Sequence, residues 1–335
     1  MTTGDEQKAL ERRPVFWFYG SSSIAYGIKD NAFSYLLLTF ANQALGVPGY
    51  LASLALAIAI VWDALTDPLL GHWSDKTQSK LGRRHPFMYA ALFILPASFY
   101  ALFNPLIDVR GEDAFWYVFI LAILIRTGTT LFEVPCTALL PDLEKDYDRR
   151  NRWLALRHLF GWTGGNGLHT VNVTFWVGAY GFASATGYMI YGTVGAVIIA
   201  LAIILSSLGT QRAAAQMPSP QEPFRFNAIG KEFGQIFESL KNRNFAALFF
   251  YSLLFGAAAG LSTALYLYIT RFFFEFTGAQ IGITGIAVLV APFIAWPLAP
   301  KLGLLLGKKI TAISLQLTRL VIYPVPFVCV LMGYW

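Results

Sequence analysis

The sequence predicts an all-α integral membrane fold with nine spans, and three observations carry that expectation. Hydrophobic residues make up 56% of the 335-residue chain and charged residues 13%, about half the ~25% charged fraction of soluble domains. Apolar stretches of ~20 residues, the length that crosses a bilayer as a helix, recur nine times, at roughly 15–43, 50–72, 87–107, 114–140, 153–175, 186–209, 245–272, 280–303 and 310–334. Basic residues alternate by side: nineteen fall in the N-terminal segment and the even-to-odd loops, against only Arg110 and Arg271 in the others. Lys and Arg accumulate on the cytoplasmic face, so a cytoplasmic N-terminus is expected, in a multi-pass protein of the plasma (inner) membrane.

The elements follow in order. Residues 1–13 mix acids with Lys8, Arg12 and Arg13 and show no small-residue cleavage site, so a signal peptide is not expected. The first span carries Lys29-Asp30 in mid-helix, and the second carries Asp63 and Asp67. The loop to the third span holds Asp75, Lys76, Lys80, Arg83 and Arg84. The fourth span carries Arg126, Thr130 and Glu133, and the fifth Arg157 and Trp162. Kinks or caps are expected at Pro68, Pro96, Pro135, Pro292, Pro297, Pro324 and Pro326.

One long loop, 210–243, divides an N-terminal six-helix unit (1–209) from a three-helix unit (244–335). It begins as a flexible linker from Ala213 to Pro223, then sets Ile229, Phe233, Ile236, Phe237 and Leu240 at helical spacing, which reads as an interfacial amphipathic helix. Gly82-Arg83-Arg84 and Gly307-Lys308-Lys309 open the third and ninth spans alike, a weak repeat. If spans seven to nine repeat spans one to three, the chain is a twelve-helix architecture truncated to about nine helices.

The basic excess of +6 is explained by sidedness, so no nucleic-acid partner is expected. Cys136 and Cys329 lie in apolar segments and give no disulfide or metal-ligand spacing. No nucleophile motif or phosphate loop is present, His72, His85, His158 and His169 are scattered, and an enzyme is not expected. His158, next to Arg157, reads as facing elsewhere on its helix, a structural residue.

Eight ionisable residues inside spans point to function instead: Lys29, Asp30, Asp63, Asp67, Arg126, Glu133, Arg157 and Arg319. Each costs roughly 2.5–3.5 kcal/mol to insert. Asp63 and Asp67 are four apart and share a helix face. Two adjacent carboxylates in a low dielectric suit a bound Na⁺, Li⁺ or H⁺, with hydroxyls available from Thr66 and Thr130. Lys29, Asp30, Glu133 and Arg157 supply acceptors and a planar donor fork for a hydroxylated solute, and Tyr26 and Trp162 offer rings for stacking. Asp75 with Arg83 and Arg84 reads as a cytoplasmic charge clamp.

The run Trp62-Asp63-Ala64-Leu65-Thr66-Asp67-Pro68-Leu69-Leu70-Gly71 resembles the second-helix signature of the glycoside–pentoside–hexuronide:cation symporters, the melibiose permease-like family of the major facilitator superfamily. The following loop, Ser74-Asp75-Lys76-Thr77 to Gly82-Arg83-Arg84-His85-Pro86, is similar to that family's loop motif, and Lys29-Asp30, Glu133-Val134-Pro135 and Arg157 match further positions. The resemblance implies the major facilitator fold, two bundles rocking about a central site. It implies a cation-coupled symporter of a sugar-like solute, with Asp63, Asp67 and Thr130 at the coupling ion and Lys29, Asp30, Glu133 and Arg157 at the sugar. The expected partners are a small polar solute such as a glycoside, membrane lipid and the coupling ion Na⁺, Li⁺ or H⁺, with no other cofactor, in a monomer. Alternatives are an uncoupled facilitator or lysolipid-type carrier, and a truncated, non-transporting membrane protein.

The chain departs from the family pattern at three places. Ile60 stands where the family often has Arg, and Arg126 stands where a small residue is expected. Cys136 and Thr137 replace an aromatic after Pro135. Helices ten to twelve have no counterpart. Arg126 is expected to reach Asp63, Asp67 or Glu133 and neutralise one of them.

Overall fold

Lipid offers the backbone no hydrogen-bond partners, so apolar runs of this length must close their bonds internally as helices. The computed structural model describes residues 14–105, 109–215 and 240–333, and all regular structure among them is helical. The helices are α1 (Pro14–Ser21 and Ser23–Asn31, continuing through Ala32–Leu36, Leu37–Thr39 and Phe40–Ala44), α2 (Gly49–Lys76), α3 (His85–Phe103), α4 (Ala114–Ala138) and α5 (Tyr147–Val171, continuing to Tyr180). They continue as α6 (Ala185–Ala215), α7 (Arg243–Tyr268, continuing to Phe273), α8 (Gly278–Leu306) and α9 (Lys308–Ile322, then Val325–Leu331). These nine rods match the nine apolar stretches. The amphipathic helix expected at 229–240 falls almost wholly outside the described residues. Of the linker expected from Ala213, the first residues instead extend α6 to Ala215.

Local signals fix the ends. Asp146 caps α5 by accepting from the Arg149 N–H at 2.9 Å. Asn242 caps α7 through the N–H groups of Asn244 and Phe245. Thr277 and Gln280 form a reciprocal capping box at the start of α8. Gly82 and Gly307, which open the two matched turns, both take positive φ (94° and 79°), a conformation that disfavours a Cβ.

Prolines inside the second, third and fourth spans leave the helices continuous. Pro68, Pro96 and Pro135 sit inside α2, α3 and α4, which run on through them. The irregular turns are π segments at Ala32–Leu36 and Phe40–Ala44 in α1, Asn172–Trp176 in α5 and Ile269–Phe273 in α7. None contains proline. Such wide turns gather at functional sites. Pro324 coincides with the break between the two pieces of α9, and Pro326 stands in the first turn of the second piece, a capping position.

Among the described residues, six helices are each long and apolar enough to cross a membrane. Neither α1 nor α5 is among them: α1 is divided by its π turns, and α5 carries Arg157, His158, Asn166 and His169. These two polar-bearing helices pack on each other, α2 packs on α4, and α3 packs on α4 and α6. The core of α1, α3 and α6 is aromatic, with Phe40, Phe99, Phe103, Tyr188 and Tyr191 in mutual ring contact. Tyr191 also donates to the Ile28 carbonyl (3.3 Å), beside the first π turn.

Small residues set the α1–α5 distance, the usual device where no hydrophobic drive separates helix from lipid. A Cβ on Gly27 would lie 2.0 Å from the Gly161 carbonyl oxygen. Backbone cannot rotate away as a side chain can, so Gly27→Ala should force the helices apart. We expect it to destabilise the protein by about 1–3 kcal/mol, the usual range for overpacking. Gly167, on the same α5, has open space around it, and Gly167→Ala should be neutral or stabilising by up to about 1 kcal/mol. Thermal unfolding of the two detergent-purified variants checks the contrast, and equal losses would contradict it.

Candidate functional site

Close packing of α1 on α5 leaves their polar faces beside a cavity of about 900 Å³. From α1 it is lined by Ser23, Tyr26, Gly27, Asp30, Asn31 and Ser34, one continuous face at helical spacing. From α5 come Arg157, His158, Trp162 and Asn166, from α4 Glu133, and from the C-terminal helices Thr263 and Pro292. The cavity thus lies on the seam between α1–α6 and α7–α9.

One contact across that seam follows directly from covalent structure. Proline has no N–H, so Pro292 leaves the carbonyl four residues earlier, that of Val288, without its helical donor. The Trp162 indole N–H donates to this carbonyl at 3.0 Å. Trp162 therefore has a polar role across the seam as well as a ring facing the cavity.

Glu133 and Arg157 meet in an ion pair, Arg157 Nη2 donating to Glu133 Oε1. The same guanidinium donates through Nη1 to the Thr137 hydroxyl (2.7 Å), with the Tyr19 hydroxyl at 3.5 Å. Thr137 in turn donates to the Glu133 backbone carbonyl (2.7 Å). Glu133 Oε2 is buried and has no partner among the described residues. Asp30 lines the same cavity and forms no ion pair among the described residues. One fixed pair and two acceptors with lone pairs to spare suit hydroxyl groups of a solute.

Lys29 corrects an expectation. Its side chain does not line the cavity; it is 2% exposed and lies over the Tyr26 ring at 4.7 Å. Consecutive helical residues diverge by ~100°, so Asp30 and Lys29 face different sides of α1. Lys29 has Arg126, Asp30, Asp63 and Glu133 among its charged neighbours, so it stands between the cavity and the acid pair of α2. His158 corrects another, because it lines the cavity beside Trp162, with ring centroids 6.1 Å apart.

The acid pair is unequal. Asp63 is half-buried and its Oδ2 accepts from Arg126 Nη1 at 2.5 Å. Asp67, one turn on, is exposed, with Thr130 beside it. Of the two adjacent carboxylates expected in a low dielectric, only Asp63 is so placed. Thr66 turns its hydroxyl back to its own helix, donating to the Trp62 carbonyl at 2.9 Å. Of the three acids that Arg126 was expected to reach, it takes Asp63. The Arg126 guanidinium also lies 4.6 Å from the Phe33 ring centroid.

At the other end of α2 the charge clamp forms with a different partner. Arg84 pairs with Asp75 at 2.7 Å, as expected, but Arg83 pairs with Asp142 at 2.6 Å rather than with Asp75. Arg84 also donates to Asp142 and to the Ala138 carbonyl. Asp142, in the one-turn helix Leu140–Leu143 after α4, was missed in the sequence. Its signal was its place in Leu140-Pro141-Asp142, just after a span. Arg319 faces a smaller adjoining cavity of about 310 Å³ and lies over the Phe255 and Tyr323 rings.

Known proteins share this sequence pattern. The chain matches the family model described as MFS/sugar transport protein over residues 18–333. It is 32% identical over 149 residues to an uncharacterized symporter of Synechocystis sp., covering 42% of this chain and 27% of that protein. It is 29% identical over 181 residues to sucrose transport protein SUT2 of Oryza sativa, covering 47% of this chain and 36% of that one. It is 26% identical over 141 residues to the sodium-dependent lysophosphatidylcholine symporter 1 of Gallus gallus, covering 42% and 26%. The matched stretches span less than two thirds of these relatives' lengths. With the family model matched from α1 to α9, this multi-pass membrane chain belongs to the MFS/sugar transport protein family, a family of transporters rather than enzymes.

Proposed function

We propose that this chain is a secondary transporter that moves a polar, hydroxylated solute of the glycoside type by alternating access. The observation that carries the reading is the cavity of about 900 Å³ on the seam between α1–α6 and α7–α9, with Asp30, Glu133, Arg157 and Trp162 on its wall. Seams between bundles near the membrane midplane are where such carriers hold their cargo. Asp30 and Glu133 accept from solute hydroxyls, Arg157 fixes Glu133, and Tyr26 and Trp162 present ring faces.

Coupling is assigned to the acid pair Asp63 and Asp67, through a monovalent cation or a proton. One observation supports coupling in general. The spans of α1–α6 hold four acids (Asp30, Asp63, Asp67, Glu133) against three bases (Lys29, Arg126, Arg157), one negative charge in excess. One monovalent cation or proton compensates it. The Arg83–Asp142 and Arg84–Asp75 pairs serve as a clamp on the side rich in Lys and Arg. That side is placed in the cytoplasm, with the chain in the plasma membrane as a monomer. The N-terminal bundle 1–209, linker 210–243 and C-terminal helices 244–335 are its working units.

A second reading has its own support. Leu154, Ala155 and Leu159 give the cavity an apolar wall, and Leu154 is 44% exposed. Such a wall suits an acyl chain, as a lysolipid-type carrier, coupled or not, would require.

Uptake of labelled glycosides and of lysophosphatidylcholine into proteoliposomes separates the two readings: saturable uptake of a glycoside and none of the lipid is expected. Glu133→Gln and Arg157→Lys each break the bidirectional charge network, and each should lower uptake at least tenfold, on the order of the 1.4 kcal/mol or more lost with a charged hydrogen bond. Uptake unchanged in both would remove the cavity from the mechanism. Asp67→Asn should abolish accumulation against a gradient while leaving solute binding within about threefold, measured by equilibrium binding. Preserved accumulation would take coupling away from the acid pair.

A further inference from the structure

We infer that Arg126 is a tethered cation at the α2 acid pair, holding the charge position that a mobile Na⁺ or Li⁺ would fill, so that this chain binds neither ion there. The inference rests on the proposed assignment of coupling to Asp63 and Asp67, and it narrows the ion.

Three observations carry it. First, the guanidinium is already seated. Arg126 Nη1 donates to Asp63 Oδ2 at 2.5 Å, and the two side chains are only 14% and 20% exposed. An ionised donor on an ionised acceptor at this distance is among the stronger protein hydrogen bonds. Second, it is held from the opposite side. The Phe33 ring of α1 lies 4.6 Å below the guanidinium carbon, a cation–π contact that favours the charge where it is. Phe33 belongs to the first π turn of α1. Third, a second fixed base stands nearby. Buried Lys29 has Arg126 among its charged neighbours together with the carboxylates of Asp30, Asp63 and Glu133, and Asp67 has both Lys29 and Arg126 among its own.

A hard cation needs several oxygen ligands around it. Asp63 offers one free oxygen, Oδ1, which is buried and has no partner among the described residues. Thr66 donates its proton to the Trp62 carbonyl and keeps its oxygen lone pairs, and Asp67 and Thr130 add further oxygens, so the guanidinium on Asp63, not a shortage of ligands, opposes a second cation. A Na⁺ entering here would face a guanidinium on the same carboxylate and an ammonium nearby. Displacing Arg126 would strand a buried charge, the costly outcome for any internal ion pair. The residues present therefore do not fit a bound Na⁺ or Li⁺, and the same groups without Arg126 would.

The test is equilibrium binding of radiolabelled Na⁺ to the full chain in detergent, with Li⁺ as competitor. The wild type should show no saturable binding. Arg126→Ala and the milder Arg126→Gln should each gain one Li⁺-sensitive site per chain, removed again by Asp63→Asn. Arg126→Lys keeps the charge and should gain none. Saturable Na⁺ binding by the wild type, lost in Asp63→Asn, overturns the inference and leaves the acid pair standing as a coupling site. Gain of binding in Arg126→Lys equal to that in Arg126→Gln also overturns it, because the block would then be steric. If variants with a wild-type elution profile and tryptophan fluorescence bind no Na⁺, the inference falls together with the assignment of a cation to this pair. The wild-type measurement stands even if a variant fails to fold.

Discussion

Two guanidinium–carboxylate pairs on one face of α4 hold the N-terminal helices in register. Arg126 and Glu133 are seven residues apart, two turns, so they project from nearly the same side of the helix. Arg126 reaches outward to Asp63 of α2, and Glu133 receives Arg157 of α5. α4 thereby holds both α2 and α5, alongside the hydrogen bonds from Trp62 to the Thr127 hydroxyl and from Arg157 to the Thr137 hydroxyl. In lipid, apolar packing discriminates weakly between one helix register and another, because the tails are as apolar as leucine. A half-buried ion pair discriminates strongly. Removing one partner leaves a charge that neither water nor lipid can accommodate, at a cost of about 3–5 kcal/mol. The positions of Asp63 and Arg157, and with them the cavity wall, depend on these two bonds.

The α1–α5 contact completes the arrangement by a different physics. Gly27 and Gly161 let the backbones nearly touch, and Ser23 donates to the Arg157 backbone carbonyl. The side chains flanking that line then have nowhere to go but the two sides of it. Tyr26, Asp30 and Ser34 face the cavity, and Lys29 lies buried over the Tyr26 ring, off the cavity wall. Adjacent residues Lys29 and Asp30 thus have different surroundings, although the pair reads as one motif in the sequence. The π turn beginning at Ala32 places the Phe33 ring under Arg126.

The fold was legible because hydropathy, length and basic-residue sidedness are properties of the chain read one stretch at a time. All nine apolar stretches became helical rods. The candidate site was legible in its members and less so in its partnerships. Asp30, Glu133, Arg157 and Trp162 line one cavity. His158 and Asn166 complete a stripe with Trp162 at four-residue spacing, a signal present in the sequence and read only in part. Which base takes which acid was not legible. Helix geometry brought Arg83 to Asp142 and left Asp75 to Arg84, and rotation about helix axes fixes that, not spacing. The π turns were illegible for a related reason: they are backbone adjustments that depend on neighbouring helices.

The Trp162–Val288 contact shows how a sequence detail on one half can shape the other. Pro292 removes one donor from α8, and the freed carbonyl faces the cavity seam rather than lipid. In lipid that carbonyl would stay unsatisfied, at a cost of a few kcal/mol. On the seam it finds the indole of α5. A carrier that alternates must break and remake contacts on this seam, and neutral hydrogen bonds such as this one and that from the Tyr268 hydroxyl to Asn42 Oδ1 (3.2 Å), each worth about 1 kcal/mol, are suited to that. The ion pairs of α4, several-fold costlier to open, lie within the N-terminal helices and are suited to staying closed. The distribution of bond strengths, strong inside α1–α6 and weak across to α8, is the one a rocking pair of rigid units requires.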